Sequence, residues 1–209
     1  MSIMELKDVN YYYAPGNPVL HHINIVFDTG KIYVILGPSG CGKTTLLSLI
    51  GGLDIPKSGV VLYENQDISR IGLEQHRRSN VAFIFQNYNL IDYMTSIENV
   101  LLTAKSEPMP ILERLGLTKD EAKRNVLKLS GGQQQRVAIA RALASKAPVI
   151  LADEPTGNLD EETAKEITRI LKESTVQYQK CVIIVSHSRE VADMADTVFE
   201  LKNGAIKEI

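Results

Sequence analysis

Three groups of residues have types and spacings suited to handling a nucleotide. Gly37-Pro38-Ser39-Gly40-Cys41-Gly42-Lys43-Thr44 is a complete G-x-x-x-x-G-K-T phosphate loop. Its glycines let the backbone curl until successive N–H groups point inward at phosphate oxygens. A helix starting at the loop adds its positive N-terminal end. In that pattern Lys43 reaches the β- and γ-phosphates, and the Thr44 hydroxyl ligates Mg²⁺. The second group, Val149-Ile150-Leu151-Ala152-Asp153-Glu154, is an apolar strand with acids at its tip. Such a strand holds Asp153 rigidly near the loop, where it orients Mg²⁺ or its water ligands. Glu154 is the candidate general base for an attacking water. The third group, Leu129-Ser130-Gly131-Gly132-Gln133, opens a helix. Ser130 is a good N-cap, the two glycines allow close backbone approach, and the helix start offers an anion site.

Positioning these groups takes an α/β scaffold. Ile32 to Leu36 is a continuous apolar, β-rich run, read as a buried parallel strand feeding the loop. Thr44 to Ile50 reads as the helix after it, stopped by Gly51-Gly52. Upstream, Ile3, Glu5, Lys7 and Val9 carry a loose alternation, and Ile23 to Phe27 is a second strand closed by Asp28-Thr29-Gly30. Val60 to Tyr63 and Val81 to Phe85 are further strands, the latter ending at Gln86. The character then changes to helical patterns at Ile97 to Lys105, Pro110 to Leu115 and Lys119 to Leu127, interrupted by Pro108 and Pro110. Gln133 to Leu143 and Glu161 to Val176 read as helices, and Cys181 to Val185 as a strand ending at Ser186-His187. Asn203-Gly204 is a hairpin turn signal.

The expectation is a single α/β domain over residues 1–209. Residues 1–86 and 131–209 form a phosphate-loop ATPase core with a mainly parallel sheet and an N-terminal antiparallel β part. Residues 87–130 form a short helical subdomain. Composition narrows the partners. A net charge of −2 with scattered acids and bases supplies no basic block for nucleic acid or anionic lipid, so no nucleic acid is expected. Cys41 and Cys181 lack metal-ligand spacing and make no disulfide framework, so reduced thiols are expected. Met1-Ser2-Ile3-Met4-Glu5 carries no basic-then-apolar signal pattern. Apolar runs such as Val182 to Val185 fall far short of a membrane span, so a membrane role must come through a partner.

Taken together in this order, the motifs resemble those of ABC transporter ATP-binding subunits over essentially the whole chain. Gly37 to Thr44 is similar to Walker A, Leu129 to Gln133 to the signature, and Val149 to Asp153 with Glu154 to Walker B. Asn158-Leu159-Asp160 resembles the D-loop, Gln86 the Q-loop glutamine and His187 the switch histidine. The resemblance implies a homodimer when ATP is bound. Ser130, Gly131, Gly132, Gln133 and Asp160 of one subunit would then act on ATP held by Gly37 to Thr44, Thr45 and Asp153 of the other. It implies Mg²⁺ held with ATP by Thr44, Gln86 and Asp153, and hydrolysis carried by Glu154, His187 and Gln86. Ser188 stands where the family more often has Asp or Asn. Tyr11-Tyr12-Tyr13 lies where the family carries an aromatic that stacks on adenine. Alternation puts Tyr11 and Tyr13 on one face and Tyr12 on the other. Register favours Tyr13, with Tyr11 and Tyr12 the alternatives.

The wording around the phosphate loop, Phe85 to Ile91 and Leu151 to Asp160 resembles the branch of macrolide and peptide exporters and lipoprotein-release systems. That likeness implies an integral-membrane permease as partner and a cytoplasmic location, peripheral on the inner face of the membrane. A mechanical regulator of cell-wall enzymes at division belongs to the same branch. The reading from another class is a soluble ABC ATPase of DNA repair or translation; such chains usually carry long insertions or two cassettes. Gln86 and Ser130 stand only 44 positions apart, about a dozen fewer than the branch carries. The insertion therefore reads as trimmed between Lys105 and Ile111. Tyr88, Leu90, Ile91, Tyr93 and Met94 give Asn87 to Val100 an apolar density suited to an exposed groove for a permease helix.

Overall fold

The computed structural model describes residues 1–14, 16–104 and 107–209. Two long strands open the chain, β1 (Ser2–Ala14) and β2 (Asn17–Asp28). β3 (Ile32–Leu36) leads through the phosphate loop into α1 (Lys43–Ile50). Next come β4 (Ser58–Tyr63), β5 (Gln66–Asp67), α2 (Ile68–Ile71), α3 (Leu73–Ser79) and β6 (Val81–Ile84). The segment that follows carries α4 (Ser96–Leu101), α5 (Met109–Arg114), α6 (Lys119–Ala122) and a 3₁₀ turn at Val126–Lys128. The chain closes with α7 (Gly131–Ala144), β7 (Val149–Asp153), α8 (Glu161–Tyr178), β8 (Cys181–Ser186), α9 (Arg189–Ala192), β9 (Thr197–Lys202) and β10 (Ala205–Glu208).

The central sheet has the order β10-β9-β3-β8-β7-β6 and is parallel except for β10. β3, β7 and β8 are buried on both faces, which is why their sequences are unbroken apolar runs. One face packs through Ile35, Leu151 and Val185 against α1 and the antiparallel sheet β2-β1-β4-β5. The other face packs through Val34, Ile150 and Ile184 against Val137 and Ile139 of α7 and Ile167 and Leu171 of α8. The tips of β3, β7 and β8 thereby point one way, and the loops that follow them gather at one end.

Three local readings change. In β1 the inward set is Met4, Leu6, Val9 and Tyr11 rather than an alternation through Glu5 and Lys7. Asp8 takes a left-handed backbone, φ 50°, and the β1–β2 pairing shifts register there, so the inward face moves by one residue. The helix expected over Lys119 to Leu127 breaks after Ala122. The Asn125 side chain accepts from Leu127 N, Asn125 bridges to Thr95, and Ser96 N donates to Arg124 O. The helix expected over Ile97 to Lys105 stops at Leu101; Lys105 lies outside the described residues, as does the Lys105 end of the trimmed stretch. Two short helices before β6 gave no sequence signal. There His76 is buried with its ring nitrogen 3.0 Å from Ile50 O.

Candidate functional site

The loop between β3 and α1 is shaped by its glycines. Gly42, at φ 104°, is the residue before α1, a conformation a side chain would strain. Lys43 folds back over the loop, its Nζ donating to Gly37 O at 2.7 Å and Pro38 O at 3.0 Å. Its ammonium is thus held over the main-chain ring that would receive phosphate. Cys41 is half-buried with its thiol turned into the core. Of the two cysteines Cys181 is the more deeply buried, and burial pushes its thiol well above the usual range.

β7 delivers the acids. Thr44 Oγ1 donates to Asp153 Oδ2 at 2.9 Å, so the loop and the strand tip meet through two hard oxygens. Burial raises the Asp153 carboxyl above the usual range; the Thr44 bond opposes this, the neighbouring Glu154 adds to it and Lys43 opposes. Glu154 stands at φ 46°. A non-glycine residue in that region costs on the order of 1–3 kcal/mol and is held by its surroundings. Here Glu154 N donates to Val185 O at 3.0 Å. Ser186 Oγ donates to Glu154 Oε2 at 3.1 Å, and His187 Nδ1 is 2.9 Å from Glu154 Oε1. A carboxylate partner makes Nδ1 the donor, which fixes the imidazole tautomer and leaves Nε2 for another group.

These residues share one cavity of about 600 Å³. Its walls include Ser39, Gly40, Gly42, Lys43, Thr44, Thr45, Gln86, Asp153, Glu154 and His187. Tyr13 completes it, 71% exposed, with its hydroxyl 2.8 Å from Thr45 Oγ1. Tyr11, on the same face as expected, is buried and packs edge-on against Tyr13 at 5.1 Å between centroids. Its hydroxyl bonds Asp54, which with burial pushes it up to about 12. Tyr11 is therefore committed to the core, whereas Tyr13 stands exposed in the cavity wall. Gly37, Pro38 and Cys41 do not line the cavity.

Ser130, Gly131, Gly132, Gln133 and Asp160 are not brought into this cavity. Ser130 caps α7 in a reciprocal box with Gln133, and Gln133 Nε2 donates to Glu121 Oε1 at 2.5 Å. Asp160 caps α8 through Thr163 N and Thr163 Oγ1, bonds that lower its pKa. Sequence reasoning placed Asn158 only in the segment resembling the D-loop, and missed Ser186 and Val19 as neighbours of the site. Ser186 alone carried a signal: it is the last residue of a buried strand, immediately before His187.

Residues 20–157 match the family described as ABC transporter. YclH of Bacillus subtilis, described as an uncharacterized ABC transporter ATP-binding protein, is 44% identical over 216 residues, covering 98% of this chain and 96% of that protein. Macrolide export ATP-binding/permease protein MacB 2 of Aeromonas hydrophila is 40% identical over 99% of this chain, which spans 34% of that longer protein. The cassette MJ0796 of Methanocaldococcus jannaschii, solved as a dimer, superposes with a TM-score of 0.91 at 36% identity, covering 99% of this chain and 98% of that one. The same cassette has been solved after hydrolysis with ADP and Pi bound. The alignments with YclH and MJ0796 run to 216 and 224 residues against the 209 here, so these relatives carry insertions relative to this chain.

Proposed function

Because the chain belongs to the ABC transporter family and is its ATP-hydrolysing cassette, we propose that it works as one half of an ATP-sandwiched homodimer that drives a separate permease. The observation that carries this is Glu154, held by Ser186 and His187 in the same cavity as Lys43 and the Thr44–Asp153 pair. Glu154 polarises the attacking water as general base. His187, tautomer fixed by Glu154, turns Nε2 to the γ-phosphate, and Gln86 contributes to placing the water. Thr44 and Asp153, hard oxygen donors already in contact, suit Mg²⁺ bound with ATP, which offsets charge on the phosphates. Tyr13 stacks on adenine, a contact worth ~1 kcal/mol.

The remaining motifs point outward. Ser130 to Gln133, at the start of α7, meet the partner subunit's nucleotide, with Asp160 close to that interface. Residues 87–130 serve as the helical subdomain, and the likeness to MacB supports an export or extraction role at the inner face of a membrane. Among the described residues no helix is long and apolar enough to cross a membrane, so the permease supplies the spans. Leu90 packs against the core of the insertion, whereas Tyr93 is 82% exposed. Tyr93, with exposed Leu101, Leu102 and Leu127, gives the insertion an apolar surface for docking.

Glu154→Gln tests the reading. Hydrolysis is expected to fall by about 10²–10⁴-fold, ATP binding to persist, and the variant to sediment as a dimer with ATP and a monomer without. Near-normal turnover would sink the base assignment. Tyr93→Asp tests the docking: the variant is expected to bind ATP yet leave the membrane fraction. Full co-purification with a membrane protein places the docking site elsewhere.

A further inference from the structure

Tyr88 lies two residues beyond Gln86, in the turn from β6 into the insertion. Its backbone is left-handed, φ 58°, and Asn89 follows at 50°. Two consecutive side-chain-bearing residues in that region must be held by their surroundings. Arg141, in the last turn of α7, does so from outside the loop. Its Nη1 donates to Asn89 O at 2.7 Å and its Nη2 to Tyr88 O at 3.1 Å. The ring end of Tyr88 makes different contacts. Its hydroxyl accepts from Asn158 Nδ2 at 3.0 Å. It also rests on Gly131, where an added Cβ would stand 2.9 Å from that oxygen.

One side chain therefore joins its own segment to two others far apart in sequence. The three are the turn after Gln86, the N-terminus of α7 and the turn at 157–160. Each has a role in the cassette reading above. We infer that Tyr88 is a positioning residue that makes the start of α7 and the Asn158 turn follow the Gln86 turn within one subunit. The inference rests on that reading for the role of Gln86, but not for the contacts themselves. A shift of the Gln86 turn carries the Tyr88 carbonyl, clamped to α7, and the phenol, bonded to Asn158. Glycine at 131 is the vacancy that lets the phenol sit there.

The test uses the full chain with Tyr88→Phe, Asn158→Ala and the double variant. Phenylalanine keeps the ring against Gly131 and deletes only the bond to Asn158, and Asn158→Ala reads the same bond from the other end. Tyr88→Phe is expected to lower kcat for ATP hydrolysis about three- to tenfold. ATP affinity of the isolated subunit is expected to stay unchanged. Asn158→Ala is expected to lower kcat by a similar factor, and the double variant to be no slower than the slower single one. Losses that multiply in the double variant, or wild-type kcat in Tyr88→Phe, overturn the inference. Equal falls in kcat and ATP affinity also overturn it, since they describe general loosening. Glu154→Gln, measured alongside, separates the two claims: if it still turns over, the catalytic reading fails, whatever the Tyr88 cycle returns.

Discussion

The residues around the phosphate loop hang from the tips of parallel strands, whereas those of residues 87–130 sit on short helices packed beside α7. Lys43, Asp153 and His187 follow β3, β7 and β8, strands buried on both faces and bonded to each other along their whole length. The insertion has helices of four to six residues, too short to stand alone in water. Val100, Leu112 and Val126 pack with α7 in the core, and caps and side-chain bonds to the main chain fix the segments between. Asn99, buried, bonds Ile91 N, Ile91 O and Thr95 O. Ser96 Oγ donates to Glu121 O, and Asn125 Nδ2 to Asp92 O. Thr95 and Thr118 each close a capping box. A rigid sheet suits chemistry that fails on small displacements. A region tied by separable polar bonds suits a part that must move against a partner.

If that contrast is right, the largest effect comes from crowding the strand-tip side. A Cβ on Gly37 would stand 2.5 Å from Leu201 O and 2.7 Å from Cys41 Sγ. Both are closer than a real Cβ tolerates and one is backbone, so Gly37→Ala is expected to push the phosphate loop out of place. Turnover should fall about a hundredfold or more, with about 1–3 kcal/mol lost in denaturant melts. A folded Gly37→Ala protein with normal ATP binding would show that the loop gives more than its strand mounting implies.

Next in size is Ser186. It is buried, donates to Glu154 Oε2 and accepts from Ser188 N at 3.1 Å. Ser186→Ala is expected to lower kcat about tenfold while ATP affinity holds, because only the aim of Glu154 is loosened. Steady-state rates beside equilibrium binding decide it; a matching loss of affinity would mean that Ser186 supports the whole pocket.

The same contrast explains what was legible in the sequence. Runs such as Ile32 to Leu36 and Val182 to Val185 announce buried strands by composition alone, so the chemistry at their tips could be located residue by residue. Alternation alone left Tyr11 and Tyr13 on one face, and only register against the family pattern favoured Tyr13. The insertion was legible only as helical. Its breaks depend on Asn125 meeting Asp92 and Thr95, pairs some thirty residues apart, and no local pattern encodes such meetings. The contacts of Ser186 and Tyr88 were hidden likewise, although Ser186 stood at a readable strand end. A serine at a strand end and a tyrosine in a turn look ordinary until the fold places Glu154 and Asn158 beside them.

A smaller effect is expected on the insertion side. Thr118 Oγ1 accepts from Glu121 N, and Glu121 Oε2 accepts from Thr118 N at 2.7 Å. Thr118→Ala removes half of that box and is expected to cost about 1 kcal/mol. By hydrogen exchange the loss should appear as faster opening around α6, with β3, β7 and β8 unchanged. Equal loss of protection in those strands would show that the two regions unfold as one unit, and the contrast would fail.

The smallest expected effect concerns what the rigid face gives up to hold its acids. Burial is the largest influence on Asp153 and raises its carboxyl; the Thr44 bond and Lys43 oppose, and Glu154 adds. The folded state therefore holds this proton more tightly than the unfolded chain does. Its contribution is most favourable below the unfolded pKa and declines as pH rises through the folded value, so at neutral pH the ionised group is a net burden on the nucleotide-free protein. Asp153→Asn keeps the shape and an acceptor for Thr44 while deleting the charge. Without nucleotide, the variant is expected to melt about 2 °C higher than the parent at pH 7, with the gap closing as pH falls below the unfolded pKa. With Mg²⁺ and ATP the order should reverse if Asp153 holds the metal as proposed, because only the parent has that carboxylate. A lower Tm for nucleotide-free Asp153→Asn at pH 7 would mean that the Thr44–Asp153 bond stabilises the tip more than burial of the charge weakens it.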